Sequence, residues 1–250
     1  MNAASRTPTI SIVIAAYQAG DQLTACLDSI RALAIDDLEV VVVDGASDDH
    51  TVQLLKGEIA LPLSWISEPD KGIYDALNKG VKMARGRWIH FLGTDDRLLP
   101  GFAELVSLLK EEDTIYYANS VPVYREGPRP SYELLGGPFS KYRLAKYCVN
   151  HQAVFYPASV FRRYQYDLQY RIFADYALNM QLWGNGQYRR SWHAIDIVQY
   201  NMTGFSSRER DIMFVRHKPG LIRQHLGWWV YWRFSWKKFR KHWYGEKEWW

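Results

Sequence analysis

Two uninterrupted apolar runs, Thr9 to Ala16 (TISIVIAA) and Leu38 to Val43 (LEVVVV), limit what this chain can fold into more than any other feature. Each has strand length and no polar face, so each predicts a strand covered on both sides, as in a parallel sheet between helix layers. Between them, Leu23, Leu27, Ile30 and Leu33 keep helical spacing behind Asp21, which reads as the helix cap. A second helix is expected to begin over Thr51 to Leu55, with a third strand at Leu63 to Ser67. A third helix follows, with Ile73, Leu77, Val81 and Ala84 on one face and its end near Gly86. Trp88 to Leu92 is the fourth strand. This alternation predicts right-handed crossovers and an α/β fold with a mostly parallel sheet.

The strands end in polar stretches: Tyr17-Gln18-Ala19-Gly20, Asp44-Gly45-Ala46-Ser47-Asp48-Asp49 and Gly93-Thr94-Asp95-Asp96. In open α/β sheets, ligands bind beyond the carboxyl ends of the strands. Two adjacent acids there suit Mg²⁺ or Mn²⁺, which take oxygen ligands and share them with substrate phosphates. The pair alone fits equally a solvated turn that caps the helix starting near Pro100. A dinucleotide site needs G-x-G-x-x-G after the first strand, and AAYQAG does not supply it; a Walker A sequence is also absent. Farther on, Asn150-His151-Gln152 precedes a strand at Ala153 to Tyr156, where the pair either contacts diphosphate or acceptor or is structural. Asp175 either caps a helix over Tyr176 to Trp183 or serves as an acid-base group. Residues Ser120 to Gly137, rich in Pro and Tyr, read as a hairpin or loop.

Composition matters at the end of the chain. Of 11 tryptophans, Trp228, Trp229, Trp232, Trp236, Trp243, Trp249 and Trp250 lie in the last 35 of 250 residues, which also hold nine Lys/Arg against two Glu. The net charge of +4 therefore resides in the tail. Trp228, Trp232, Trp236 (or Ser235), Phe239 and Trp243 share one helical face, with Arg233, Lys237 and Lys241 on another. Such a helix suits an anionic membrane interface, and also packing on the domain or on a second copy, or single-stranded nucleic acid. Cys26 and Cys148 lie in no metal-type cluster, which predicts reduced thiols. The N-terminus has no apolar segment ending in a cleavage site, and no run approaches the roughly 18 apolar residues of a membrane span.

Four segments together, SIVIAAYQAGDQLTACLDSI, EVVVVDGASDDHT, SEPDKGIYDALNKGVKMARG and FLGTDD, resemble in this order the nucleotide-sugar domain of family 2 glycosyltransferases with the GT-A fold. More narrowly, they are similar to bacterial enzymes that add single sugars to exopolysaccharide, capsule or O-antigen repeat units. The resemblance implies a Rossmann-like GT-A domain over residues 1–205, with a donor half at about 9–110 and an acceptor half at about 111–205. Residues 206–250 would be a C-terminal helical aromatic and basic extension. It places Ala16 and Tyr17 against the nucleotide base, Asp44 with Ser47 near base or ribose, and Asp70, Lys71 and Asn78 on the floor of the donor site. Thr94-Asp95-Asp96 matches the metal-binding acidic element, with Asp96 expected as the metal ligand and Asp95 as a ribose or more distant contact. Asp175 matches the acid assigned as catalytic base, and His151 and Gln152 fall where the acceptor pocket closes. The family's DDGS is here Asp44-Gly45-Ala46-Ser47, and no QxxRW sequence occurs, which counts against a processive synthase.

The implied chemistry is inverting, Mg²⁺- or Mn²⁺-dependent transfer from a UDP, GDP or dTDP sugar to a lipid-linked saccharide, with no nucleic-acid partner. The expected location is cytoplasmic, peripheral to the inner membrane, through residues 226–250. The alternative is a non-catalytic nucleotide-sugar-binding or scaffolding subunit of a polysaccharide assembly complex; intact Asp44, Asp96 and Asp175 favour the enzyme.

Overall fold

A computed structural model describes residues 7–124, 136–202 and 210–243. Strands β1 (Ile10–Ala16), β2 (Leu38–Asp44), β3 (Leu63–Ser67) and β4 (Trp88–Gly93) are joined by helices α1 (Gly20–Arg31), α2 (Thr51–Lys56) and α3 (Ile73–Met83). They pair in parallel in the order β3-β2-β1-β4, so the expected α/β crossovers are present. Alternation explains the unbroken apolar runs. Ile10, Ile12 and Ile14 face a cluster that includes Leu23, Ile30 and Phe102, while Val13 faces Leu77, Phe91 and Tyr156 on the other side.

Beyond β4 come β5 (Arg97–Leu98), α4 (Gly101–Ser107), β6 (Thr114–Val123), α5 (Lys141–Lys146), β7 (Val154–Pro157), α6 (Ala158–Phe161), α7 (Ala174–Gly184) and β8 (Arg189–Asn201). The eight-stranded sheet continues as β4-β7-β6-β8-β5, with β7 antiparallel to both neighbours. Ser120 to Val123, read from sequence as hairpin or loop, instead prolong β6 beside β8; residues 125–135 lie outside the described residues.

Two local readings are corrected. Asp21 does not cap α1: the buried N–H groups of Ala19 and Gly20 donate to the Thr51 hydroxyl at 3.0 and 2.9 Å, so the cap comes from the next helix. In α3 the buried face is Tyr74, Ala76, Leu77 and Gly80, and Ile73 is 46% exposed. Gly80 sets the distance of this helix from the sheet, since a Cβ there would stand 2.4 Å from Val13 Cγ1.

The tail is built onto the same core. Asp211 caps α8 (Ile212–Leu221) by accepting from Phe214 N at 3.0 Å, and Pro219 removes a helical donor just before a π turn at Ile222–Leu226. Gly227, at φ +100°, then turns the chain into α9 (Trp228–Trp243). Phe214, Ile222 and Leu226 are buried in the core cluster around α7. A Cβ on Gly184 would lie 2.0 Å from the His225 carbonyl oxygen, so α7 and the π turn meet backbone to backbone.

Candidate active site

A cavity of about 700 Å³ opens beyond the carboxyl ends of β1 and β4, where the strand order reverses. Ala16, Tyr17, Asp70, Lys71, Thr94, Asp95, Asp96, His151, Gln152 and Asp175 all line it. Asp44, Ser47 and Asn78 do not, and each has a structural occupation. Asp44 is fully buried and accepts from Ser47 N at 2.9 Å, from the Ser47 hydroxyl and from the Ser67 hydroxyl at 2.6 Å. Ser47 Oγ in turn accepts from Gln18 N at 2.8 Å. The pair thus holds two left-handed non-glycine residues, Gln18 (φ 46°) and Ala46 (φ 60°), and presents Tyr17, which is 64% exposed. Asn78 clamps both main-chain polar atoms of Tyr166, at 2.9 Å each.

The acid pair follows β4 and is held by the segment before β7 and by the end of β8. Asp96 is buried, accepting from Gln152 Nε2 at 2.5 Å and from Asn201 N at 2.6 Å, while Asn201 Nδ2 donates to Asp95 Oδ2 at 2.8 Å. Burial, and then the charge of Asp95, push Asp96 up to about 6. A Cβ at Gly93 would lie 2.5 Å from Asp96 Oδ2 and 3.1 Å from Asp95 Oδ1, so both carboxylates converge on space that only glycine leaves open. Two converging carboxylates under mutual repulsion fit a hard divalent cation that takes its other ligands from phosphate and water. Neither acid caps α4, whose cap position is Pro100 without a side-chain bond.

Asp175 lies in the first turn of α7, behind the cap position Phe173, and does not cap it. Its Oδ1 accepts from Tyr74 OH at 2.8 Å; its Oδ2 accepts from His151 Nδ1 at 3.0 Å, with Cys148 Sγ at 3.7 Å. Burial and the Asp175 charge hold Tyr74 and Cys148 well above their ordinary values, so both remain protonated donors. Tyr74 OH also reaches the Ile172 carbonyl at 2.5 Å, tying α3 to the segment ahead of α7. Tyr74, Cys148 and Asn201 were not read as site residues in the sequence, and each acts across the fold rather than within a motif.

Residues 11–168 match the profile of the family described as Glycosyl transferase family 2, and the chain belongs to that family. It is a glycosyltransferase. A PGL/p-HBAD biosynthesis glycosyltransferase of Mycobacterium bovis (strain BCG / Pasteur 1173P2) is 31% identical over 222 residues, 85% of this chain and 84% of the relative. The chondroitin synthase of Escherichia coli is 37% identical over 102 residues, 40% of this chain and 15% of that protein. Among solved structures, S. aureus TarS 1–349 in complex with UDP-GlcNAc superposes with a TM-score of 0.67 at 16% identity, covering 87% of this chain and 71% of that one. Mannosyltransferase PcManGT from Pyrobaculum calidifontis, in complex with GDP-Man and Mn²⁺, gives 0.61 at 19% identity, covering 89% and 63%. The fold is the GT-A arrangement implied by the sequence resemblance.

Proposed function

We propose that the protein is an inverting, cation-dependent transferase that moves one sugar from a nucleoside diphosphate to a lipid-linked saccharide of bacterial surface polysaccharide synthesis. One observation carries this reading: Asp70 and Lys71, the converging Asp95 and Asp96, and the His151–Asp175 pair all line a single cavity. The exposed ring of Tyr17 offers a stacking surface for the base, and Lys71 a positive charge near the phosphates. A divalent cation held by Asp95 and Asp96 would neutralise the charge that develops on the departing diphosphate. Asp175, on the far side, supplies the negative charge that draws the proton from the attacking hydroxyl. The test is a panel of UDP-, GDP- and dTDP-sugars with Mn²⁺: one donor at 100 times its Kd should stabilise the fold by about 2.7 kcal/mol. If no member of the panel shifts the melting temperature, the donor reading fails.

In this reading residues 1–205 carry the reacting groups, and residues 206–250, whose α8 also braces the cavity lining, meet the membrane through α9. Among the described residues no helix is long and apolar enough to cross a bilayer. Yet α9 exposes Trp228, Trp229, Trp232, Trp236 and Phe239, each 57–82% accessible, while Val230, Tyr231 and Phe234 pack on the core. At 100° per residue, exposed Arg233, Lys237 and Arg240 fall between the two faces, and Arg233 stacks 4.0 Å over the Tyr142 ring. The side chains of Lys241 and Trp243, and all of residues 244–250, lie outside the described residues. An aromatic face flanked by cations is the pattern of a helix lying at headgroup depth. Replacing Trp228, Trp229, Trp232 and Trp236 with serine should lower binding to anionic vesicles more than about tenfold with little change in melting temperature. Binding by the wild type should weaken with salt, since each cation contributes about 1 kcal/mol that screening reduces. Sedimentation with neutral and anionic vesicles reads both effects, and a wild type that ignores anionic vesicles ends this part of the proposal.

A further inference from the structure

The hydrogen bonds around Asp175 bear on which atom receives the acceptor's proton. Tyr74 occupies one carboxylate oxygen and His151 the other, with Cys148 beside it, and the Asp175 side chain is only 8% exposed. These donors take three of the roughly four acceptor positions of a carboxylate, so a hydroxyl reaching Asp175 competes for the one that remains. His151 is differently placed. Its Nδ1 faces a carboxylate, which only accepts, so Nδ1 carries the hydrogen and Nε2 holds the free lone pair of the neutral ring. Nε2 makes no hydrogen bond to a described residue and, unlike the Nε2 of His90, is not among the buried atoms left without a partner. The ring edges against Phe91 at 6.1 Å, which fixes its plane, and His151 lines the same cavity as the acid pair.

We infer that His151 Nε2 is the atom that takes the proton, with Asp175 orienting and stabilising the imidazolium; this rests on the transferase reading above. The acceptor oxygen forms its bond to C1 as the C1–O bond to the diphosphate breaks, and that electron pair leaves on the diphosphate oxygen. The acceptor's O–H proton passes to Nε2, and the resulting cation keeps Nδ1–H on Asp175. The other titratable groups around the pair include Tyr74 from α3, Cys148 from the segment before β7, Tyr156 from β7, Tyr166, Tyr176 from α7, Asp96 from the turn after β4 and His90 from β4.

The test uses the full-length protein, Mn²⁺ and the sugar nucleotide selected by the thermal panel, with release of nucleoside diphosphate as the assay. His151→Ala should lose at least about 10²-fold in turnover, and added imidazole should restore at least about tenfold. Donor affinity in the variant should stay within about twofold of wild type. Unchanged turnover would mean the proton goes elsewhere, and a parallel loss of donor affinity would make His151 a diphosphate ligand; either overturns the inference. Nitrogen-15 spectra of the wild-type histidines give a second reading independent of how the variant folds: a neutral ring at position 151 protonated on Nδ1 is expected, and one protonated on Nε2 refutes it. A wild type that binds no donor in the panel fails the transferase reading instead, which separates the two failures.

Discussion

Replacing Asp175 by asparagine is expected to lower turnover by about 10² to 10⁴-fold while leaving donor affinity within about twofold. The shape is retained, and the amide oxygen can still accept from Tyr74 OH, which donates at 2.8 Å in the native protein. The other side cannot be preserved, because an amide NH₂ would then face His151 Nδ1, which now donates at 3.0 Å. Two donors cannot share that contact, so the imidazole must rotate or change tautomer, and the negative charge that favours proton transfer is lost. Steady-state turnover with a parallel donor-binding isotherm checks this. Equal losses in both would move Asp175 from proton chemistry to donor binding, and a product of retained anomeric configuration would contradict a base on the far face altogether.

Removing divalent cations with EDTA should abolish at least about 99% of turnover, and added Mn²⁺ should restore it. The pH dependence follows from Asp96. Burial and the Asp95 charge raise its folded-state value from an ordinary carboxylate's to about 6. A raised acid binds its proton more tightly when folded, so this group favours folding below the ordinary carboxylate value, and that contribution is lost as pH rises to about 6. A cation reverses the balance by binding only the ionised form. Its apparent affinity should therefore drop by about tenfold per pH unit below about 6, and its thermal stabilisation should be much larger at neutral pH than near pH 5. Activity that persists in EDTA, or cation affinity flat across this range, would contradict the assignment to the acid pair.

The fold and the outline of this site were legible in the sequence to different depths. Continuous apolar runs announced β1, β2 and β4 because both faces of those strands are covered; Tyr17 after β1 and Thr94, Asp95 and Asp96 after β4 line the cavity, whereas the polar residues after β2 do not. What periodicity could not supply was the partner across the fold. Ile73 and Tyr74 are both apolar enough to occupy the inner face of α3. Tyr74 is the buried one because Ile172 and Asp175, about 100 residues later, accept its hydroxyl. Asp44 read as a ligand contact, but the hydroxyls of Ser47 and Ser67 fold over it and leave it no exposure. Asn201 holds both acids from β8, a strand whose register against β6 contains irregularities no local pattern encodes. The tail's aromatic and basic faces were visible because a helix displays its own period, whereas the burial of Phe214, Ile222 and Leu226 depends on what α7 offers them.

Asp211 carries a consequence for how such a chain can be taken apart. One of its oxygens starts α8, through Phe214 N, and the other accepts from Ile172 N and Phe173 N, two residues of the cavity lining, at 2.9 and 3.2 Å. Tyr170, in the same lining, meets His217 of α8 at 3.1 Å. The helix that leads to the aromatic surface is thus also the scaffold of one side of the pocket, so the enzyme is not a cartridge on a detachable tether. Cutting the chain ahead of Asp211 removes support from a cavity wall together with the exposed aromatic surface, and exchanging tails between relatives exchanges that support as well.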